Sequence, residues 1–161
     1  MILAAHADAG FMNESRAISR AGVHMFLSEN DPKSKHNGPI LTMAQIIKTV
    51  TVLAEEVEMV ALFITAIKMI PLRHTLIEMG WPQPKTPIQT YNSTAVGFKN
   101  KTIVKKSTKS SYMKLWWLRD RESQEQFRYY WAPGSENEGD YSNKHHSPIY
   151  NEAKRANSYL V

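Results

Sequence analysis

The sequence predicts a mixed α/β domain whose sheet begins antiparallel and continues parallel. Three observations predict it. Short apolar runs over residues 1–9, 19–27 and 40–43 are separated only by turn and loop composition, which reads as three strands in succession. An apolar stripe then recurs at three- and four-residue steps through Val50, Leu53, Val57, Ala61 and Ile64, which is a helix. Beyond it, strand-like and helix-like segments alternate, as they do where strands pair in parallel.

In order along the chain, Met1 to Ala9 reads as a buried strand and residues 10–15 (Gly-Phe-Met-Asn-Glu-Ser) as a turn. Ser19 to Leu27 is the second strand. Residues 28–39 hold Ser, Asn, Asp, Pro, Lys and Gly and read as a loop, and Ile40 to Met43 as a third, short strand. Gln45 to Met79 is helical in character. Met59, Leu62 and Phe63 fall outside the main stripe, so more than one side of this helix is covered. Pro71 is expected to break it, with a second helix running to Met79 before Gly80. Pro82, Pro84 and Pro87 make a stiff connector. A strand at Ile88 to Tyr91, a short helix at Ser93 to Phe98 and a basic loop at Lys99 to Lys109 follow. Ser111 to Gln124 reads as a helix with Met113, Trp116 and Trp117 inside, and Phe127 to Trp131 as the last strand. After Pro133-Gly134 the chain turns polar, and from His145 it has little pattern. Residues 1–146 are therefore read as one domain and 147–161 as a polar tail.

The bulk numbers fit that reading. The chain has 161 residues, 42% of them hydrophobic, enough for one core. Its formal charge of +5 suits a polyanionic partner. The absence of cysteine excludes disulfides, zinc–thiolate sites and thiol catalysis. The apolar start is too short for a signal peptide and lacks a basic opening. The longest apolar stretch, Met59 to Ile70, is broken by Thr65 and Lys68 and reads as too short to span a bilayer. No membrane partner is expected, and with no targeting signal an intracellular location is, in a cytoplasmic particle or the nucleus.

Among the acids, Asp8 stands out because it interrupts an apolar run. Burying a carboxylate there is expensive unless it is paired or ligates something, the alternative being a strand end facing solvent. The long helix offers Glu55, Glu56 and Glu58. Glu55 points away from the stripe, while Glu56 and Glu58 lie on its two opposite edges, either of which could reach a site on the sheet. Asp140 follows Gly139 in the polar stretch and carries no signal by itself.

Together these residues resemble a known family. His6-Ala7-Asp8-Ala9, Ser19-Arg20-Ala21-Gly22, Glu56-Val57-Glu58, Gln89-Thr90-Tyr91-Asn92-Ser93-Thr94-Ala95, Trp117-Leu118-Arg119-Asp120 and Gly139-Asp140-Tyr141-Ser142-Asn143-Lys144 are weak one by one. In this order and spacing they resemble the ribonuclease H domain of copia-type long-terminal-repeat retrotransposon polyproteins, over residues 1–146. The resemblance implies a ribonuclease H-like fold, a central mixed five-stranded sheet flanked by helices. It implies endonucleolytic hydrolysis of the RNA strand of RNA–DNA hybrids by four acids holding two Mg2+ or Mn2+ ions. Three of the four are matched by Asp8, Glu58 and Asp140, and Asn92 falls among residues expected to touch the nucleic acid. A reverse transcriptase region of the same polyprotein would be the natural partner.

The chain departs from the family where the third acid is expected, at the end of the fourth strand. Tyr91 stands there, and a phenol offers one neutral oxygen where a carboxylate offers two charged ones. Tyr112 is a second departure, where many relatives carry an acid. Impaired catalysis is the implied outcome, with a catalytically inactive nucleic-acid-binding remnant as the alternative. Lys99, Lys101, Lys105, Lys106 and Lys109 gather within eleven residues and could neutralise phosphates in a salt-dependent way. Tyr129, Tyr130 and Trp131 put rings on both faces of the last strand, which favours core packing over base stacking for at least some of them. His145-His146 reads as exposed tail.

Overall fold

A computed structural model describes residues 1–29, 38–49, 53–91, 109–133 and 137–158. Five strands form one sheet in the order β3-β2-β1-β4-β5. They are β1 (Ile2–Glu14), β2 (Ile18–Ser28), β3 (Pro39–Ile47), β4 (Thr86–Thr90) and β5 (Phe127–Trp131). β1 pairs antiparallel with β2, and β2 with β3, while β1–β4 and β4–β5 are parallel. The predicted antiparallel start and parallel continuation are thus both present. The described helices are α1 (Ala54–Glu78), α2 (Lys109–Ser123), α3 (Gly139–Asn143) and α4 (Pro148–Ser158).

The pleat sorts β1 residues by parity. Leu3, Ala5 and Ala7 join Met59, Leu62, Ala66 and Met69 of α1 in the main core, with Ile88, Leu118 and Phe127. His6 instead meets the rings of His24 and Phe26, at centroid distances of 6.3 and 4.9 Å. α3 docks on β1 and β2.

The structure corrects several local expectations. Residues 10–14 continue β1, because the ladder resumes at Glu14 opposite Ile18 after an irregularity beyond Gly10. An Arg20–Glu14 ion pair at 2.9 Å and a bond from the Met12 amide to Ser19 Oγ at 3.1 Å hold this end together. The reversal falls at Ser15–Ala17, a 3-10 turn where Arg16 and Ala17 take positive φ. β3 runs on to Ile47, so Gln45 to Ile47 belong to the sheet and α1 starts only at Ala54.

Pro71 lies inside a continuous α1. A proline in a helix costs about 3 kcal/mol or more. Met69 and Leu62 are fully buried, and Leu72 and Leu76 pack against the same core beyond the proline. Each such side chain contributes roughly 1.5–3 kcal/mol, so packing on both sides of Pro71 outweighs the break. By length and composition the continuous helix, with mean hydropathy 1.5 over 18 residues, is long and apolar enough to cross a membrane. One third of that window is buried inside the fold, on the side that packs against the sheet. Pro87, read as connector, lies within β4 opposite Arg128 of β5.

In α2 the inward residues are Ser111, Leu115 and Leu118, spaced at i, i+4 and i+7. Trp117 packs edge-on against Phe63 at 5.1 Å, whereas Met113 and Trp116 face outward, 72% and 52% exposed. The segment beyond His145 is ordered as well. Ser147 and Pro148 supply a helix start, with Ser147 O accepting the Asn151 amide at 3.0 Å. α4 is tied to α3 by the Tyr150–His146 and His146–Tyr141 ring stacks at 4.5 and 5.0 Å, and by a Lys154–Glu138 ion pair at 2.9 Å. The expected helix at 93–98, Asn92, and Lys99, Lys101, Lys105 and Lys106 lie outside the described residues; Lys109 is exposed at the start of α2.

Candidate active site

Asp8 sits on the central strand of the sheet, paired with Gly22 of β2. Its side chain is 6% exposed. Glu58 reaches it from the second turn of α1, and Asp140 from α3. Asp8 is in hydrogen-bond contact with both other carboxyls, and the charge of Asp140 is felt at Glu58 as well. Three acids separated by 50 and 82 residues of sequence thus converge. Glu55 is exposed, and Glu56 is buried.

Two glycines bring α3 close enough for this. A Cβ on Gly22 would stand 2.1 Å from the carbonyl oxygen of Gly139, and one on Gly139 would stand 3.0 Å from the carbonyl of Gly22. Only bare backbone permits that approach. Asn137 then fixes the entry to α3. Its side-chain amide donates to the Ala7 carbonyl at 3.0 Å, and its Oδ1 accepts the Gly139 amide at 2.9 Å. The Glu138 amide donates to His6 Nδ1 at 3.1 Å.

Asn143, fully buried, donates from Nδ2 to Asp8 Oδ2 at 2.7 Å. Lys144 places its ammonium on Asp140 Oδ1. Both stand in the Gly139-Asp140-Tyr141-Ser142-Asn143-Lys144 marker of the resemblance, which assigns neither of them a role. A fully buried asparagine in a Gly- and Asn-containing stretch carries no periodic signal, and its role emerges only when α3 meets β2.

The electrostatics follow from crowding. Burial, followed by the nearby Asp140, pushes the Asp8 carboxyl up to about 6, against the lowering effect of Asn143. Burial, followed by the charge of Asp8, pushes Glu58 up to about 9, against a lowering bond from the Ala9 backbone. Without a cation Glu58 therefore keeps its proton at neutral pH. Lys144 is shifted upward by its bond to Asp140.

Tyr91 lies one residue beyond β4, 53% exposed. Thr90 pairs with Ala7, so Tyr91 follows at the level of Asp8 on the neighbouring strand. Tyr112 lies on α2, edge-on to Trp116 at 5.9 Å. On β5, Tyr129 is in the core, while Trp131 is 49% exposed.

This strand order, the acid-bearing central strand and the helix packed across it can be compared with solved structures. The chain has the ribonuclease H fold. It is similar to LC11-RNase H1, isolated from compost by a metagenomic approach, with a TM-score of 0.60 and 13% identity over 88% of this chain and 91% of that one. It is also similar to LC11-RNase H1 in complex with an RNA/DNA hybrid, with a TM-score of 0.57 and 11% identity over 84% and 88%. No protein-family profile matches the chain, and no curated protein matches it by sequence.

The donor set fits a hard divalent cation in kind, since all three acids present oxygen. Glu58 Oε2 is buried without a hydrogen-bond partner, an atom that a cation would satisfy. Among the described residues no group of three or more His, Asp or Glu is already disposed as a metal centre.

Proposed function

We propose that this chain is a ribonuclease H-type domain of a copia-type retrotransposon polyprotein, an endonuclease for the RNA strand of RNA–DNA hybrids whose catalysis is impaired by Tyr91. The observation that carries the reading is the convergence of Asp8, Glu58 and Asp140 in hydrogen-bond and charge contact at the centre of a ribonuclease H fold. A fold-neighbour solved with an RNA/DNA hybrid supports the choice of partner, as does the basic balance of the chain.

Asp8, Glu58 and Asp140 would hold Mg2+ or Mn2+. Such ions, when bound, stabilise developing charge on phosphate oxygens and make water a better nucleophile. The protein's part is to present oxygens in a fixed arrangement. Asn143 orients Asp8 through Oδ2. The Ala9 backbone, bonded to both the Asp8 and Glu58 carboxyls, keeps them at the end of the same strand segment. Both carboxyls hold protons more tightly than usual, so cation binding releases protons and strengthens as pH rises.

Tyr91 occupies the place where the resemblance expects the third of the four acids. Removing one preorganised electrostatic contact typically costs two to three orders of magnitude in rate, about 3–4 kcal/mol. The same substitution favours the second reading, a catalytically silent nucleic-acid-binding domain.

The test is Mg2+-dependent cleavage of a labelled RNA–DNA hybrid by the native protein, Tyr91→Asp and Asp8→Asn. Slow cleavage by the native protein, a gain of roughly 100-fold in Tyr91→Asp and none in Asp8→Asn is expected. Hybrid binding with no cleavage by native protein or Tyr91→Asp would support the silent reading. Equal rates for native and Tyr91→Asp, both above Asp8→Asn, would remove Tyr91 from the site.

A further inference from the structure

We infer that Lys144 supplies a positive charge to the acid cluster, so that the site takes one divalent cation rather than two. The inference rests on the metal-site reading above and deepens it by setting the number of ions.

The geometry that carries it is the anchoring of α3. Lys144 caps the C-terminal end of α3 four residues beyond Asp140, and its ammonium contacts Asp140 Oδ1. Its field also reaches Asp8. The backbone that bears Lys144 is fixed. Gly139 packs on Gly22 without room for a Cβ, and the preceding residue, Asn143, is fully buried with its amide on Asp8. The Lys144 stem therefore starts from an anchored point beside the acids. Two buried oxygens there, Glu58 Oε2 and Asn143 Oδ1, have no hydrogen-bond partner, and both are hard donors of the kind a single Mg2+ or Mn2+ accepts.

The charge balance gives the count. Four carboxylates carry four negative charges, which match two divalent ions. In this chain Tyr91 leaves three carboxylates, and the Lys144 ammonium cancels one more charge. Two negative charges remain, which match one divalent ion. Tyr91 and Lys144 thus act in the same direction, and restoring a second ion requires reversing both.

The test counts Mn2+ bound to the protein without nucleic acid, from the loss of the free aqua-ion signal in electron paramagnetic resonance, with circular dichroism to confirm folding. Native protein is expected to bind one Mn2+. Lys144→Met should still bind one, about tenfold more tightly, as expected for removing a unit charge roughly 6 Å from a divalent ion in a water-like dielectric. Lys144→Arg keeps the charge and should match the native affinity. Lys85→Met, which removes a charge paired with Glu125 before the start of β4, should leave it unchanged. The double variant Tyr91→Asp with Lys144→Met should take up a second ion. Two ions of similar affinity in the native protein, or native affinity in Lys144→Met, would overturn the inference alone. No Mn2+ binding by any of the proteins would overturn it together with the metal-site reading.

Discussion

Replacing Glu58 with glutamine should make the protein more stable at neutral pH while removing one of the proposed metal ligands. The Glu58 carboxyl is pushed up to about 9 in the fold, chiefly by burial and then by the charge of Asp8, from an ordinary 4.5. The sign follows from proton counting. Between those two values the folded protein keeps a proton that the unfolded chain has released, so stability falls as pH rises. The stabilising contribution of the protonated group is complete below about pH 4.5 and is lost as pH climbs through about 9. At pH 7 the loss spans about 2.5 pH units, and at 1.36 kcal/mol per unit its ceiling is about 3 kcal/mol. Glutamine is neutral throughout and escapes the loss. Urea denaturation at pH 5, 7 and 8.5 should show native protein and Glu58→Gln nearly equal at pH 5, with the variant increasingly ahead at higher pH. Saturating Mg2+ should narrow the gap, because a ligand bound only by the folded native protein stabilises it by RT ln(1 + [Mg2+]/Kd). A variant that is less stable at pH 8.5 than the native protein, or a gap that does not change with pH, would refute the account of Glu58 as a crowded, proton-holding acid.

Three further outcomes are expected. Gly22→Ala should destabilise the fold by about 1–3 kcal/mol, since its Cβ would meet the Gly139 carbonyl at 2.1 Å, and it should weaken Mn2+ binding by displacing Asp140; thermal melts and Mn2+ titration check both. Asn143→Ala should cost about 1–3 kcal/mol through loss of a buried bond to a carboxyl, and should move Asp8 upward from about 6, readable by NMR titration. Changing Lys105, Lys106 and Lys109 together to Ala should lower the slope of log affinity for a hybrid against log salt by up to about 2.7, at about 0.9 for each phosphate left without its lysine; an unchanged slope would mark these lysines as a solvated loop.

Much of the architecture is legible in the sequence because strand and helix periods differ. The apolar runs that form β1 and most of β2 and the Phe127–Trp131 segment each show their pattern locally, and β5 has the bounds its sequence predicts. Pro71 misleads because the rule for proline is local, whereas the packing of Met69 and Leu76 that overrides it is tertiary. Met113 and Trp116 mislead because the size of an apolar side chain suggests an inward position, although the i, i+4, i+7 spacing of Ser111, Leu115 and Leu118 sets the buried face. At the site, periodicity narrows the helix acids only to two, and resemblance chooses Glu58, which the structure places against Asp8. The roles of Asn137, Asn143 and Lys144 are not legible there, since polar residues in a non-periodic stretch reveal their partners only after docking. The interior glycine of β2 is a readable sign of close backbone approach, and it marks where α3 lands.

The backbone contact between Gly22 and Gly139 also imposes a schedule. Gly22 leaves the ribosome more than a hundred residues ahead of Gly139. Until Gly139 follows, the nascent chain carries Asp8 and Glu58 without the third carboxyl, the asparagine that orients Asp8 or the lysine that offsets Asp140. A cation that needs all three acids finds no proper seat on an unfinished chain. Assembly of the acid cluster therefore waits on synthesis of α3, and a chain that stalls before Gly139 carries the strands but not the complete cluster.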